Sequence, residues 1–199
     1  MTLSIQLAFA VIWIGWIASW VAAALWSAPT VKRAERLATR RWDMWAYRAA
    51  ILAGTILLWY ASRPHGREPR LWFVGDYGGL ALAGVTFLGL VFTWWARIHL
   101  GRLWSGVITR KQGHRVVDTG PYGLVRHPIY TGLIVALWAT GIAQGRASGI
   151  AGAALLTFGF WLKARAEERF LIEELGPDAY GAYRRRVPML WFRIVRQRS

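Results

Sequence analysis

GHRVVDTGPYGLVRHPIY, Gly113–Tyr130, is the stretch that decides how this chain folds. It is polar and basic, and it runs straight into an apolar segment with Arg126, His127 and Tyr130 at the threshold. Ionisable groups at a membrane boundary are expensive to desolvate, so function is their default reading. Beyond the threshold the chain is apolar through Ile129–Gln144, turns near Gly145–Ser148, and returns through Gly149–Lys163 to the pair Glu167-Glu168. The two arms are nearly equal in length. An antiparallel helical hairpin then puts His127 and Glu167 at the same depth, in one site built from both ends of one hairpin.

Composition agrees with a membrane setting. A hydrophobic fraction of 55% and fourteen Trp in 199 residues exclude an ordinary soluble domain. The expectation is an all-α, multi-span integral membrane protein forming one domain over residues 1–199. Residues 1–97 would carry three spans, and 98–199 the polar loop, the hairpin and a basic tail. The sequence has no Cys, which rules out disulfides and thiolate sites. A net charge of +15 would suit nucleic acid, but the basic residues alternate with apolar runs. Topology explains that better, and no nucleic-acid partner is expected. The first apolar run lacks a basic leader and is too long for a signal-peptide core, so no cleavable signal is expected.

The expected spans are Leu3–Trp26, Trp45–Ala61, Leu71–Ala96, Ile129–Gln144 and Gly149–Lys163. The last two would each rise only about 24 Å at 1.5 Å per residue. That is short for a hydrocarbon core of about 30 Å, so their tip is expected in the headgroup layer. Gly75 and Gly79 form a GxxxG step that permits close helix approach. Lys32, Arg33, Arg36, Arg40 and Arg41 follow the first span, and Arg97, Arg102, Arg110, Lys111, Arg115 and Arg126 follow the third. The opposite side has Arg63, Arg67, Arg70 and Arg146. The positive-inside rule then puts the amino terminus outside and the site on the cytoplasmic face, in a plasma or inner membrane if the source is a prokaryote. Trp42, Trp45, Trp72, Trp94, Trp95, Trp104 and Trp161 fall near span ends, as an aromatic belt would. After Lys163 the helix turns amphipathic and is expected to stop at Gly176-Pro177, with a short helix over Asp178–Arg186 after it.

His127-Pro128 reads as a helix start, whose free N–H groups form an anion site beside the Arg126 charge. The plainer alternative makes Arg126 a topological anchor. His127 could cap, ligate or hydrogen-bond a ligand, but no second His stands at metal spacing, so no metal is expected. Glu167 and Glu168 lie among Lys163, Arg165, Arg169 and Glu173 at helical spacings, which also suits a solvated face of weak ion pairs. Hairpin geometry singles out Glu167, while Glu168 is expected to matter less if it points away around the helix. No nucleotide-binding glycine loop, HExxH or nucleophile elbow is present.

Four motifs carry a resemblance: GPY at Gly120–Tyr122, RHPxYxG at Arg126–Gly132, EExxL at Glu167–Leu171, and YxxY followed by VP at Tyr180–Pro188. Together they resemble the isoprenylcysteine carboxyl methyltransferase family and the wider membrane methyltransferase group that includes phospholipid N-methyltransferases. The resemblance implies S-adenosyl-L-methionine as methyl donor and a lipophilic acceptor reached from membrane lipid. Carried over by motif, the cofactor contacts are His114, Arg115, Val116, Val117, Tyr122, His127, Pro128, Ile129, Tyr130 and Glu167, while Arg126 and Lys163 face the acceptor as catalytic residues. Lys163 stands where the carboxyl methyltransferases place an Arg. It keeps the charge but loses the two-point fork, which argues against a prenylcysteine carboxylate. The membrane sterol and steroid reductases, which use NADPH, have a similar hairpin and are the alternative; they typically lack the EExxL pair. A non-catalytic membrane scaffold is the third reading.

Overall fold

The computed structural model describes residues 2–24, 30–33, 41–63, 68–104, 109–111, 117–175 and 177–191. Its helices are α1 (Leu3–Ala24), α2 (Arg41–Ser62), α3 (Asp76–Leu100), the single turn α4 (Pro121–Leu124), α5 (Pro128–Gln144), α6 (Ala147–Leu175) and α7 (Pro177–Arg186). The architecture is helical, with one addition that the sequence reading did not include. Strands β1 (Thr30–Arg33) and β2 (Thr109–Lys111) pair antiparallel, joining the segment after α1 to the segment after α3.

Among the described residues three helices are long and apolar enough to cross a membrane: α1, α3 and the apolar part of α6. Helix α5 is apolar but shorter. Large apolar side chains stand exposed along α1 (Leu3, Leu7, Val11, Ile14, Ile17, Val21) and α3 (Leu80, Phe87, Leu88, Val91, Ile98). In water such a surface would be an aggregation hazard; in hydrocarbon it is the required solvent-facing surface. This is the build of an integral membrane protein.

The helices neighbour one another in the order α1, α3, α5, α6, α2. Small residues set the closest approaches, as expected where lipid tails are as apolar as Leu and close packing drives association. A Cβ on Gly89 of α3 would lie 2.7 Å from the Gly132 carbonyl oxygen of α5, and one on Gly54 of α2 would lie 2.9 Å from that of Gly152 on α6. The expected Gly75–Gly79 step works differently. Gly75 is the extended N-cap of α3, with open space around it, and only Gly79 is tight, against the Ile5 side chain. Helix α3 starts at Asp76 and not at Leu71. The Leu71 N–H is held by the Gly145 carbonyl at 2.8 Å, the Trp72 indole donates to the Ile142 carbonyl at 2.9 Å, and Asp76 suits the positive end of the helix.

The hairpin tip is as the sequence indicates. Gly145 closes α5 in the left-handed region at φ 69°, where a side chain is disfavoured. Buried Arg146 donates to the carbonyls of Ala61 and, at 3.0 Å, Arg63, capping the end of α2. Glu68 accepts from the Ser148 N–H at 2.9 Å and from its hydroxyl, capping the start of α6. Those hydrogen bonds hold the Glu68 carboxyl below its ordinary pKa. Trp94 and Trp104 pack edge-on against Trp20 of α1, at 5.5 Å between ring centres in both cases.

Candidate functional site

The site forms where α4, the start of α5, the far end of α6 and the chain after α7 meet. Gly120 adopts φ 56°, and a Cβ there would strike the His99 ring, so two constraints favour glycine before Pro121. His99 also hydrogen-bonds the Thr119 hydroxyl at 2.9 Å and stacks on Tyr122, which docks the GPY turn on the end of α3. From the other side the Tyr183 hydroxyl donates to the Tyr122 carbonyl at 2.7 Å. Burial pushes the phenols of Tyr122, Tyr180 and Tyr183 well above their ordinary pKa, so they remain protonated at neutral pH. For Tyr122 the neighbouring Tyr183 and Glu167 act in the same direction.

His127 is the N-cap of α5 and Pro128 its first residue, as the sequence reading expected. Pro fits there because that N–H has no partner inside the helix. The His127 ring caps nothing; it turns across to α6. Its Nδ1 lies 3.6 Å from Glu167 Oε2, and its Nε2 lies 3.1 Å from Glu168 Oε1. The hairpin thus brings His127 and the glutamate pair together. Tyr130, one turn on, donates its hydroxyl to Glu167 Oε1 at 2.6 Å. Its ring lies near-parallel to those of His127, at 5.5 Å, and Phe160, at 5.3 Å between centres. Lys163 Nζ sits 5.3 Å from the centre of the same Tyr130 ring, within cation–π reach.

The two glutamates are used differently. Glu168 is 3% exposed and accepts from Arg126 at both carboxylate oxygens, 2.7 and 3.2 Å, from His127, and from Arg184 Nε at 3.2 Å. Arg126 also donates to the carbonyls of Arg184, at 3.1 Å, and Val187. Its guanidinium, expected to face an acceptor, is engaged with the protein itself. Glu167 is 19% exposed and, among the described residues, holds only the Tyr130 hydroxyl at hydrogen-bond distance, with His127 Nδ1 just beyond it.

The tail also reaches the site. After α7 the chain turns at Pro188 and runs back beside the RHP motif. The Arg126 and His127 N–H groups donate to the Pro188 and Met189 carbonyls at 2.8 and 3.1 Å, and the Thr131 hydroxyl to the Leu190 carbonyl at 2.7 Å. Tyr180, Tyr183 and Val187 are buried together against Leu171 and Ile172. The sequence reading assigned no site role to Glu168, Arg184 or Thr131. Of the expected cofactor residues, Val117 is half-buried in the loop before α4, and His114, Arg115 and Val116 lie outside the described residues.

This constellation sits within a segment of known kind. Residues 81–173, which carry α3, the GPY turn, α5 and the glutamate pair, match the isoprenylcysteine carboxyl methyltransferase (ICMT) family. That match covers a little under half of the chain. Curated relatives match as well. Methanethiol S-methyltransferase 1 of Bradyrhizobium diazoefficiens is 43% identical over 76 residues, covering 37% of this chain and 26% of the relative. Methanethiol S-methyltransferase of a Pseudomonas species is 39% identical over 69 residues, covering 35% of this chain and 25% of the relative. The match thus spans about a quarter of those relatives' length.

Within the ICMT segment, the chemistry available is that of a held carboxylate, an imidazole, a phenol and an ammonium around one aromatic stack. Among the described residues no three His, Cys, Asp or Glu gather as a metal-binding group.

Proposed function

We propose that this protein is an S-adenosyl-L-methionine-dependent integral membrane methyltransferase of five spans, with its site on the cytoplasmic face, acting on a small lipophilic acceptor, with a thiol as the best-supported class. The observation that carries the reading is the unequal treatment of the two glutamates. Glu168 is locked by the Arg126, Arg184 and His127 side chains and makes the framework rigid. Glu167 is oriented by Tyr130 and keeps lone pairs for a ligand. A carboxylate so placed suits the ammonium or hydroxyls of the cofactor, and the Tyr122, His127 and Tyr130 rings give it apolar walls. The residues present therefore fit the group: Glu167 and Tyr130 would hold it, with His127, Pro128 and Ile129 forming the floor at the start of α5. When bound, the cofactor supplies an electrophilic methyl on a sulfonium.

The protein's own work is positioning and exclusion of water. Tyr130 fixes the Glu167 rotamer, His127 and Phe160 fix the Tyr130 ring, and Arg126–Glu168 fixes the depth of His127. Restricting both reactants in this way replaces a bimolecular encounter with a near-attack arrangement. Arg126 becomes a positioning residue in this reading. Lys163 is left to face the acceptor, its ammonium over the Tyr130 ring. The relatives named for methanethiol support a thiol, and a nearby cation raises the thiolate fraction that reacts. A single Lys also suits a compact anionic sulfur better than a planar carboxylate, for which an Arg fork is the better match.

Methyl transfer by the full chain in detergent or proteoliposomes, from labelled S-adenosyl-L-methionine to methanethiol, longer alkanethiols, a prenylcysteine and phosphatidylethanolamine, tests the proposal. Labelling of thiols ahead of the other acceptors is the expected result. No labelling of any acceptor, together with calorimetric binding of NADPH in place of S-adenosyl-L-methionine, would overturn it.

A further inference from the structure

Beside the Arg126–Glu168 pair lies an open hollow of about 330 Å³, lined by Arg126, Gly181, Arg184 and Arg185. Its charge is unbalanced. Arg126 and Arg184 share the one Glu168 carboxylate, with Arg184 46% exposed. Arg185 is exposed, and among the described residues no carboxylate pairs with it. Neighbouring Arg186 is satisfied separately by Asp118 at 2.9 Å. Among the described residues three guanidinium groups border the hollow against one carboxylate, an excess of two positive charges; Arg126 spends its donors inside the protein, and Arg184 and Arg185 are the exposed pair. The Arg185 guanidinium lies over Gly181: a Cβ there would stand 3.5 Å from Arg185 Nη1, in ordinary van der Waals contact.

Planar guanidinium forks match tetrahedral oxyanions with two-point hydrogen bonds, which favours phosphate over a monovalent inorganic ion. The volume exceeds a bare ion and lies at the lower end of the range for small-molecule sites. We infer that the hollow between Arg126, Gly181, Arg184 and Arg185 binds a phosphate group, carried by an anionic lipid headgroup or by a free phosphomonoester. A phosphate there would lie against the guanidinium groups that hold Glu168, so its occupancy would brace the same framework from outside. The inference does not depend on the acceptor or on the methyl donor.

The test uses the full chain in neutral detergent, with dissociation constants measured for phosphatidylglycerol, diacylglycerol of the same acyl chains, and glycerol 3-phosphate. Phosphatidylglycerol should bind more tightly than diacylglycerol. Glycerol 3-phosphate binding as tightly as the lipid assigns the site to a free phosphomonoester, and much weaker binding assigns it to lipid. Arg185→Glu should weaken the bound species about tenfold or more, the loss expected for one charge-assisted hydrogen bond. Arg185→Gln, which keeps the size of an exposed residue without its charge, should fall in between and covers the case in which the glutamate variant folds poorly. The inference is overturned if phosphatidylglycerol and diacylglycerol bind alike, if both Arg185 variants keep wild-type affinity, or if S-adenosylhomocysteine displaces the phosphate ligand, which would make the hollow part of the cofactor grip.

Discussion

The Arg126 guanidinium takes the Glu168 carboxylate at both oxygens, Nε to Oε1 at 2.7 Å and Nη2 to Oε2 at 3.2 Å. Both side chains are at least nine-tenths buried. A buried pair of this kind adds little net stability relative to an apolar replacement, but removing one partner strands the other charge. Glu168→Ala should therefore lower the unfolding free energy by about 3–5 kcal/mol, read as a large fall in thermal stability in detergent. A fall no larger than that of a typical surface substitution would refute the bracing role.

Glu167→Ala should behave in the opposite way. The residue is partly exposed and holds one phenol, so stability should change little. Affinity for S-adenosyl-L-methionine should drop by about 1.5–3 kcal/mol, the range for a hydrogen bond to a charged group. Calorimetric titration of Glu167→Ala beside the thermal melt of Glu168→Ala separates the two roles. Equal effects of both variants on both readouts would return the pair to a common structural role.

Much of this site was legible in the sequence. Equal hairpin arms sufficed to place His127 opposite Glu167, because helix rise converts residue count into depth. Depth says nothing about direction around the axis, and consecutive helical residues differ by about 100°. Choosing between Glu167 and Glu168 needed the partners, and the partners come from elsewhere. Arg184 and the Val187–Leu190 segment reach the RHP motif across some sixty residues. The helix order was hidden for the same reason. Flanking α5 with α3 and α6 with α2 depends on the Gly89–Gly132 and Gly54–Gly152 approaches, and glycine pairs distant in sequence leave no periodic pattern.

Those approaches are testable. Gly132→Ala places a methyl against the Gly89 carbonyl and Thr93 at the contact between α3 and α5. Neither backbone can retreat without moving a helix, so the change should destabilise by about 1–3 kcal/mol, as overpacking does. Gly84→Ala on α3 is the control, since a Cβ there meets nothing within 4 Å. Comparable melting temperatures for the two variants would show that the interface is looser than described.

Glu68 gives a pH signature at the opposite end of the hairpin. Its carboxyl is held below its ordinary range chiefly by the Ser148 hydroxyl; burial, the next largest effect, opposes this, and the Ser148 N–H, the Arg146 charge and the Ala147 N–H add to the lowering. A carboxylate whose pKa is depressed on folding contributes stability above its unfolded pKa and loses it as pH falls through the folded value. Wild type should therefore be more stable than Glu68→Gln at neutral pH, with the gap closing below about pH 4. Melting curves of both proteins across the acid range check it; a gap that does not change with pH would mean that the carboxylate charge is not what caps α6.

The proposed thiol acceptor is testable at Lys163. Its ammonium lies 5.3 Å from the Tyr130 ring centre, on the turn of α6 before Glu167, so it belongs to the same stack without sharing the Glu167 contact to Tyr130. If the acceptor is a thiol, the reacting species is the thiolate, and a fixed cation beside it lowers the pH at which that species forms. Lys163→Met should then shift the rising limb of kcat/KM against pH upward by on the order of one unit, with S-adenosyl-L-methionine affinity unchanged. Raising the pH should restore most of the lost rate, because bulk ionisation then does what the ammonium did. Were the acceptor a carboxylate, it would already be ionised throughout that range. The limb would stay in place, KM would rise at every pH, and Lys163→Arg would improve turnover by supplying the missing fork. A pH–rate profile of three proteins (wild type, Lys163→Met and Lys163→Arg) with one thiol and one prenylcysteine distinguishes these outcomes, and an unmoved limb with the thiol would remove the case for Lys163 as the thiolate-stabilising group.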